Sequence, residues 1–269
     1  MRKFHEKIAF VLNKEHIFSE NSYAYQKGKS IKNCVECHKS GNTFLKFDIH
    51  HFFNSIEKKK LIKILMQEFE LDIVYKKQIE LILDTCFYKE KMPIGLVTSP
   101  VLSDLYMGEF DHDFASDLGE SYVYTRYADD ILISCLTEIS QEEEMRIKKL
   151  LKTKLSNLGL ALNEKKYMRK RFTKDGDFIK YLGVNLVRHK EKNIITVGKA
   201  YKNYIAKCYL QYVRMEKDTE GRFYFGKKIA GYISFVKQIE GEAGLNKIFN
   251  RIEKSTQGRI IIHDKINNL

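Results

Sequence analysis

Three aspartates stand where this sequence could do chemistry. Asp48 ends the β-prone apolar run Thr43-Phe44-Leu45-Lys46-Phe47-Asp48-Ile49, and Asp129-Asp130 sit between two further β-rich runs, 122–127 and 131–135. If these strands are neighbours in one sheet, the three carboxylates converge on a point that helices do not cover. Like charges so placed repel one another, and a cation relieves the cost. Carboxylate oxygens suit hard divalent ions, magnesium above all where substrate phosphates supply further ligands. Two such ions about 4 Å apart can activate an attacking 3′-hydroxyl and stabilise a leaving pyrophosphate, which is nucleotidyl transfer. Aspartate also favours turns for its own hydrogen-bonding reasons, so the pair taken alone reads as two surface acids, and its company is what changes the weight.

The elements that must position these acids alternate between helix and strand. Helical spacing covers 3–12 and 30–38, the second ending at the turn signal Ser40-Gly41-Asn42. After the strand at 43–49, apolar residues at helical spacing mark 58–70 and 71–87, and Pro93 and Gly95 break the chain. A long helix fits 99–116, with Thr98 or Ser99 as its cap. Residues 122–135 read as a hairpin with two acids at its tip, and 138–158 as an amphipathic helix stopped at Gly159. A second hairpin is expected over 178–197, turning at 189–193, and the chain beyond Gly198 is helical and rich in Lys, Arg and Tyr. The order predicts an α+β fold, an antiparallel sheet backed by helices with a helical C-terminal appendage.

Composition narrows the class. At 269 residues, with 43% hydrophobic and 30% charged, the chain can bury a core and is not wholesale disordered. A net charge of +12, spread along the chain, attracts polyanions, nucleic acid among them, or marks a Lys-rich surface. Glu6, Lys7, Lys14 and Glu15 interrupt the apolar residues near the start, and no stretch approaches a membrane span. The expectation is a cytoplasmic protein whose five cysteines are free thiols. Cys34-Val35-Glu36-Cys37-His38 matches the signature of covalent haem attachment. That chemistry belongs to exported proteins, and no second Cys/His pair at zinc spacing follows, so two ordinary cysteines on a helix face are expected instead.

Four segments in order resemble the reverse-transcriptase family. Phe47-Asp48-Ile49-His50-His51-Phe52-Phe53-Asn54-Ser55-Ile56 resembles its first catalytic motif. Met92-Pro93-Ile94-Gly95-Leu96-Val97-Thr98-Ser99-Pro100 resembles the template- and nucleotide-contacting loop entering a helix. Tyr127-Ala128-Asp129-Asp130 resembles the polymerase signature, and Leu158-Gly159-Leu160-Ala161-Leu162-Asn163-Glu164-Lys165-Lys166 the motif after it, with Tyr181-Leu182-Gly183 as a weaker fifth match. With the fingers segment Tyr23-Ala24-Tyr25-Gln26-Lys27-Gly28-Lys29-Ser30, the set spans about residues 22–186. The resemblance implies a right-hand polymerase fold, fingers and palm over 1–197 and a small helical thumb over 198–269. It implies two Mg2+ ions bound by Asp48 and Asp129 with the carbonyl of Ile49, Asp130 being more peripheral. Phe53 would be the steric gate that excludes a 2′-hydroxyl. One of Phe52 and Phe53 is expected in the core, since adjacent residues cannot share a face. Gly95 would let backbone approach the nucleotide, and Lys166 would serve the triphosphate or remain a solvated lysine. Two positions depart from the family pattern. Gln26 stands where an arginine is usual, leaving Lys27 or Lys29 to supply charge without a bidentate fork. Ile94 stands where glutamine is usual, which removes a polar check on the base pair.

The implied activity is RNA-directed DNA polymerisation. Fewer than fifty residues precede Asp48, and nothing past the thumb resembles a maturase, endonuclease or RNase H domain, which favours a retron-type or defence-associated bacterial enzyme. The implied partners are dNTPs, an RNA–DNA duplex and a structured non-coding RNA template, with an effector protein or a second copy of the chain beyond them. Tyr201, Tyr204, Tyr209 and Tyr212 among lysines suit such a duplex or pack helix against helix. Two other readings stand beside this one: an untemplated or protein-primed nucleotidyl transferase, and a catalytically silent RNA-binding scaffold of the same fold.

Overall fold

Ser30 and Ser140 each accept a hydrogen bond from the backbone N–H three residues on, and a helix begins at each. The structure, a computed structural model, describes residues 1–217 and 219–256. In chain order its elements are α1 (Arg2–Glu15), α2 (Ile31–Glu36), β1 (Thr43–Asp48), α3 (Phe52–Ser55), α4 (Lys58–Glu68), α5 (Lys76–Asp84) and α6 (Ser99–Leu118). There follow β2 (Val123–Tyr127), β3 (Asp130–Cys135), α7 (Gln141–Asn157), β4 (Met168–Arg171), β5 (Phe178–Tyr181), β6 (Val184–His189), β7 (Lys192–Thr196), α8 (Lys199–Arg214) and α9 (Glu220–Thr256). The chain divides into two compact units, the first Met1–Thr173 and the second starting at Lys174.

In the first unit an antiparallel sheet runs in the order β2-β3-β1-β4. Its centre, β1, is buried on both faces, which is why it reads as a continuous apolar run and not as an alternation. Leu45 and Phe47 of β1 and Ile131 and Ile133 of β3 join Leu102, Leu105 and Phe114 of α6 and Ile147, Leu151 and Leu155 of α7 in one core. Helix α6 is buried over most of its length, Asp104 and Asp111 included, so those carboxylates must be paired inside the protein. In the second unit β5-β6-β7 form a separate antiparallel sheet. A buried pair, Lys202–Glu240 at 2.6 Å, ties α8 and α9 to the end of β7, where Thr196 Oγ1 and the Val197 N–H also donate to Glu240.

Several expectations change in detail. The 71–87 segment is a 3-10 turn, Ile73–Tyr75, followed by the shorter α5, because Glu70 adopts a left-handed φ of 47° and closes α4. Strand β4 was not expected: Met168-Arg169-Lys170-Arg171 is basic and lacks apolar alternation, yet pairs with β1 from Thr43↔Arg171 to Lys46↔Met168. The expected second hairpin is a three-stranded meander. Leu182 and Gly183 both have positive φ, 51° and 81°, and make the two-residue turn between β5 and β6. Tyr127 pairs with Asp130, so the first hairpin turns at Ala128-Asp129 and Asp130 already belongs to a strand. Neither expected cap of α6 closes it: Thr98 makes no side-chain cap bond, and Ser99 Oγ donates to Pro93 O at 2.7 Å. Among the described residues no helix is long and apolar enough to cross a membrane. Residues 257–269 of the expected thumb lie outside the described residues.

The haem-like cysteines point elsewhere. Cys34 Sγ donates to Thr125 Oγ1, and Cys37 Sγ lies 2.9 Å from the Tyr23 hydroxyl. His38 is buried between Thr125 and Ser134, and burial pushes it down to about 3, so it stays neutral. The tyrosines divide as well. Tyr209 is buried in the second unit, whereas Tyr201 and Tyr204 of α8 meet Tyr232 of α9 edge to face.

At the C-terminal end of α1, His16 is buried, with Nδ1 2.9 Å from Glu68 of α4 and Nε2 3.4 Å from Asp104 of α6. Burial opposes its charge, but hydrogen bonds to and charges of the two acids outweigh burial and raise its pKa. A raised folded pKa contributes stability that is complete below the unfolded value of about 6.5 and is lost as pH rises through the folded one. Denaturant titrations from pH 6 to 9 should therefore show stability falling with pH, and the His16→Gln variant should lack that component of the slope.

Candidate active site

The end of β1 is stitched on both sides. Ile49 N donates to Asp129 O at 2.9 Å, while His50 N donates to Ala161 O and Asn163 N to Asp48 O, each at 2.8 Å. Asp48 and Asp130 are Cα partners across β1 and β3. Acids more than eighty residues apart in sequence thus come together through backbone ladders.

A cavity of about 380 Å³ opens here, lined by Asp48, Ile49, Phe52, Phe53, Ile94, Asp129 and Lys166 of the expected site residues. His50, His51, Asn54 and Asn163 line it too. Asp48 is buried; its Oδ2 accepts from Lys166 Nζ at 2.7 Å and its Oδ1 from Asn163 Nδ2 at 3.2 Å. Lys166 is raised in pKa, first by that hydrogen bond, and remains a cation at neutral pH. Asp129 and Asp130 are both raised. Burial is the first cause at each, and the charge of Asp48 adds at both. Phe52 is buried, whereas Phe53 is only partly so, which divides the adjacent rings as the sequence requires. Ile94 is 79% exposed, an apolar side chain presented to the cavity.

Other expected residues stand apart from the cavity lining. Asp130 sits beside Asp48 in the sheet but not on the wall. Gly95 adjoins Ile94 with φ 102°, a conformation L side chains rarely adopt, while a Cβ there would meet nothing within 4 Å. Its need for glycine in this structure is conformational, not one of crowding. Lys27 is exposed away from the lining. Lys29 is committed elsewhere: its ammonium donates to the carbonyls of Ser19, Glu20 and Ser22 at 3.3, 3.0 and 2.6 Å and lies over the Tyr23 ring. From the same fingers segment it is Tyr25 that feels the Asp129 charge, with φ 62° and a pKa raised first by burial.

Sequence reasoning missed Asn163, although it lies inside the motif running to Lys166 and an amide at that spacing was a legible donor. His50 and His51 sat unremarked in the first motif. Arg126 directly precedes the Tyr127-Ala128-Asp129-Asp130 signature, but its role was not readable there, because its partners lie on α6.

Among the described residues no group of three or more His, Cys, Asp or Glu side chains closes around one point as a metal site. The donors form an open set, Asp48 and Asp129 on one cavity wall. Clustered carboxylates, one of them accepting an ammonium, have the chemistry a divalent cation satisfies, with remaining ligands left to substrate oxygens.

Residues 1–186 match the family model described as reverse transcriptase (RNA-dependent DNA polymerase). The chain belongs to the reverse-transcriptase family. Its curated relatives include the retron Ec86 reverse transcriptase of Escherichia coli, 26% identical over 238 residues, which are 84% of this chain and 70% of that protein. The retron Ec83 reverse transcriptase of Escherichia coli is 31% identical over 136 residues, 47% of this chain and 43% of that one. Among solved structures, apo telomerase from Candida tropicalis superposes with a TM-score of 0.58 at 11% identity, over 94% of this chain and 50% of that chain, a likeness of fold. The chain thus spans more than two thirds of the first of these proteins and half or less of the other two. Its fold is the α+β right-hand fold, and the curated relatives just named are retron enzymes of Escherichia coli. The family's activity is RNA-directed DNA polymerisation, a nucleotidyl transfer on an RNA template with divalent metal ions.

A raised carboxylate pKa means that ionisation opposes folding: the associated stability is present below the unfolded value of about 3.9 and lost as pH rises through the folded one. At neutral pH this reverse transcriptase should therefore melt a few degrees higher as the Asp129→Asn variant than as wild type when divalent ions are chelated. Differential scanning fluorimetry with and without Mg2+ checks this, and added Mg2+ should raise the wild type more than the variant.

Proposed function

We propose that the protein extends a primer with dNTPs on an RNA template by two-metal nucleotidyl transfer, its template a dedicated structured non-coding RNA of a retron or antiphage defence system. The observation that supports this best is that Asp48, Asp129, Phe53, Ile94 and Lys166 line one cavity. Asp48, Asp129 and the carbonyl of Ile49 would hold two Mg2+ ions, with Asp130 supporting from the neighbouring sheet position. Bound there, the ions would supply charge stabilisation for the attacking and leaving oxygens.

The chain's own groups do the rest. Phe53, braced on buried Phe52 at a ring separation of 5.3 Å, bars a 2′-hydroxyl. Ile94 gives the nascent base pair an apolar wall with no amide to test its geometry. Lys166 Nζ, charged and paired with Asp48 on a side chain 61% exposed, donates a proton to departing pyrophosphate. Lys27, exposed on the fingers segment, remains free to meet the triphosphate, whereas Lys29 holds that segment in shape. Fingers and palm comprise 1–197 and the thumb 198–269, where basic helices grip an RNA–DNA duplex. The protein works in the cytoplasm, and an effector protein or a second copy of the chain completes the assembly.

Purified protein should incorporate dNTPs in Mg2+ and only along an added RNA template, and Asp129→Ala should lower the rate more than about 100-fold. Incorporation indifferent to template would favour an untemplated or protein-primed transferase instead, and tight RNA binding without incorporation a silent scaffold. Phe53→Ala should raise rNTP use relative to dNTP by about tenfold or more, equivalent to ~1.4 kcal/mol of lost discrimination. Ile94→Gln should lower misincorporation in a single-nucleotide mismatch assay, and an unchanged error rate would remove the fidelity role of Ile94.

A further inference from the structure

Arg126 lies two residues before the Ala128-Asp129 turn, and its side chain is 1% exposed. Its Nε donates to Asp111 Oδ1 at 2.8 Å and Oδ2 at 3.0 Å, and its Nη2 to Asp111 Oδ2 at 2.6 Å and Asp104 Oδ1 at 2.8 Å. Its Nη1 donates to the carbonyl of Ala128 at 3.3 Å. The backbone of the same residue is held from the other side: its N–H donates to Asn21 O at 2.8 Å, and its carbonyl accepts from Tyr23 N at 2.9 Å. Asp104 in turn accepts from Ser22 Oγ at 2.5 Å, and Asp111 from the Tyr124 hydroxyl at 2.6 Å.

Stability is a poor account of this arrangement. Removing a guanidinium and two carboxylates from water is costly for each ion, and apolar side chains of similar size often serve a core as well or better. What an apolar core cannot supply is direction. The planar fork fixes helix α6 and the turn that carries Asp129 against one another, and Asp104 passes the hold to the fingers segment through Ser22. Ala128 is the residue that needs this hold, since it is a non-glycine with φ 55°, and its carbonyl is the one that Arg126 takes.

We infer that Arg126, oriented by Asp104 and Asp111, is the positioning residue for Asp129, setting the turn at the height at which Asp129 and Asp48 can share divalent cations. The inference rests on the reading of Asp129 as a metal ligand. A lysine at 126 keeps the charge but reaches one partner where the fork reaches three, so geometry and charge separate in a single variant.

The test is direct Mn2+ binding, followed by electron paramagnetic resonance of the free ion, on wild type, Arg126→Lys, Asp104→Asn and Asp129→Asn. It is paired with steady-state kinetics per folded molecule and with circular dichroism. Wild type should bind Mn2+, and Asp129→Asn should lose a site; if wild type binds none, the metal reading itself fails, whatever Arg126 does. Folded Arg126→Lys should bind Mn2+ about tenfold or more weakly and lose kcat to a similar extent, with KM for dNTP within about twofold of wild type. Folded Arg126→Lys with wild-type Mn2+ affinity and kcat would overturn the inference. If Arg126→Lys does not fold, Asp104→Asn, which keeps the shape and removes one charge orienting the fork, is judged by the same two criteria.

Discussion

Mutual repulsion among Asp48, Asp129 and Asp130 is the constraint around which the first unit is built. Burial already disfavours the charge of Asp129 and Asp130, and the charge of Asp48 beside them adds to the cost. The chain answers with covalently short and conformationally fixed supports. Asp48 ends a central strand that is hydrogen-bonded on both sides, and Asp129 occupies a two-residue turn whose flanking strands are in register. The ammonium of Lys166 offsets part of the charge from a third segment. The result is an electronegative point with little freedom to relax, which is the condition for binding cations tightly.

The same demand explains the polar interior. A long helix buried over most of its length would ordinarily be apolar all round, yet α6 carries Asp104 and Asp111 into the core. Both meet Arg126, and Asp104 also meets His16 and Ser22. The network therefore runs from the end of α1 through α6 to the hairpin that carries Asp129. Its members are far apart in sequence and contribute orientation where simple burial would contribute only cohesion.

How much of this was legible before the fold was known can be judged residue by residue. The run 43–49 and the hairpin around Asp129-Asp130 were readable because strands buried on one or both faces need apolar, β-branched residues, and turns need acids or glycine. The division of labour between Phe52 and Phe53 followed from the alternation of faces. Strand β4 was not readable: its four residues, three of them basic and none buried, are a strand only because β1 offers an unpaired edge. The setting of Lys29 was not readable for a related reason. A lysine beside glycine in a presumed phosphate loop looks like a free charge, and only the folded loop brings three carbonyls around it.

Sequence alone determined the identity and order of the chemical groups: the three acids, the paired aromatics, the isoleucine and glycine of the loop, and the lysine that follows. These are local facts, since side-chain chemistry and spacing are written in the chain. Tertiary structure decided which of them share a wall. It placed Asp48, Asp129 and Lys166 on one cavity with Asp130 behind them, drew Asn163 onto Asp48, and buried Arg126 among partners supplied by α6. The reason is physical: ladder register and the pairing of buried charges depend on groups remote in sequence, whose proximity exists only once the sheet has formed.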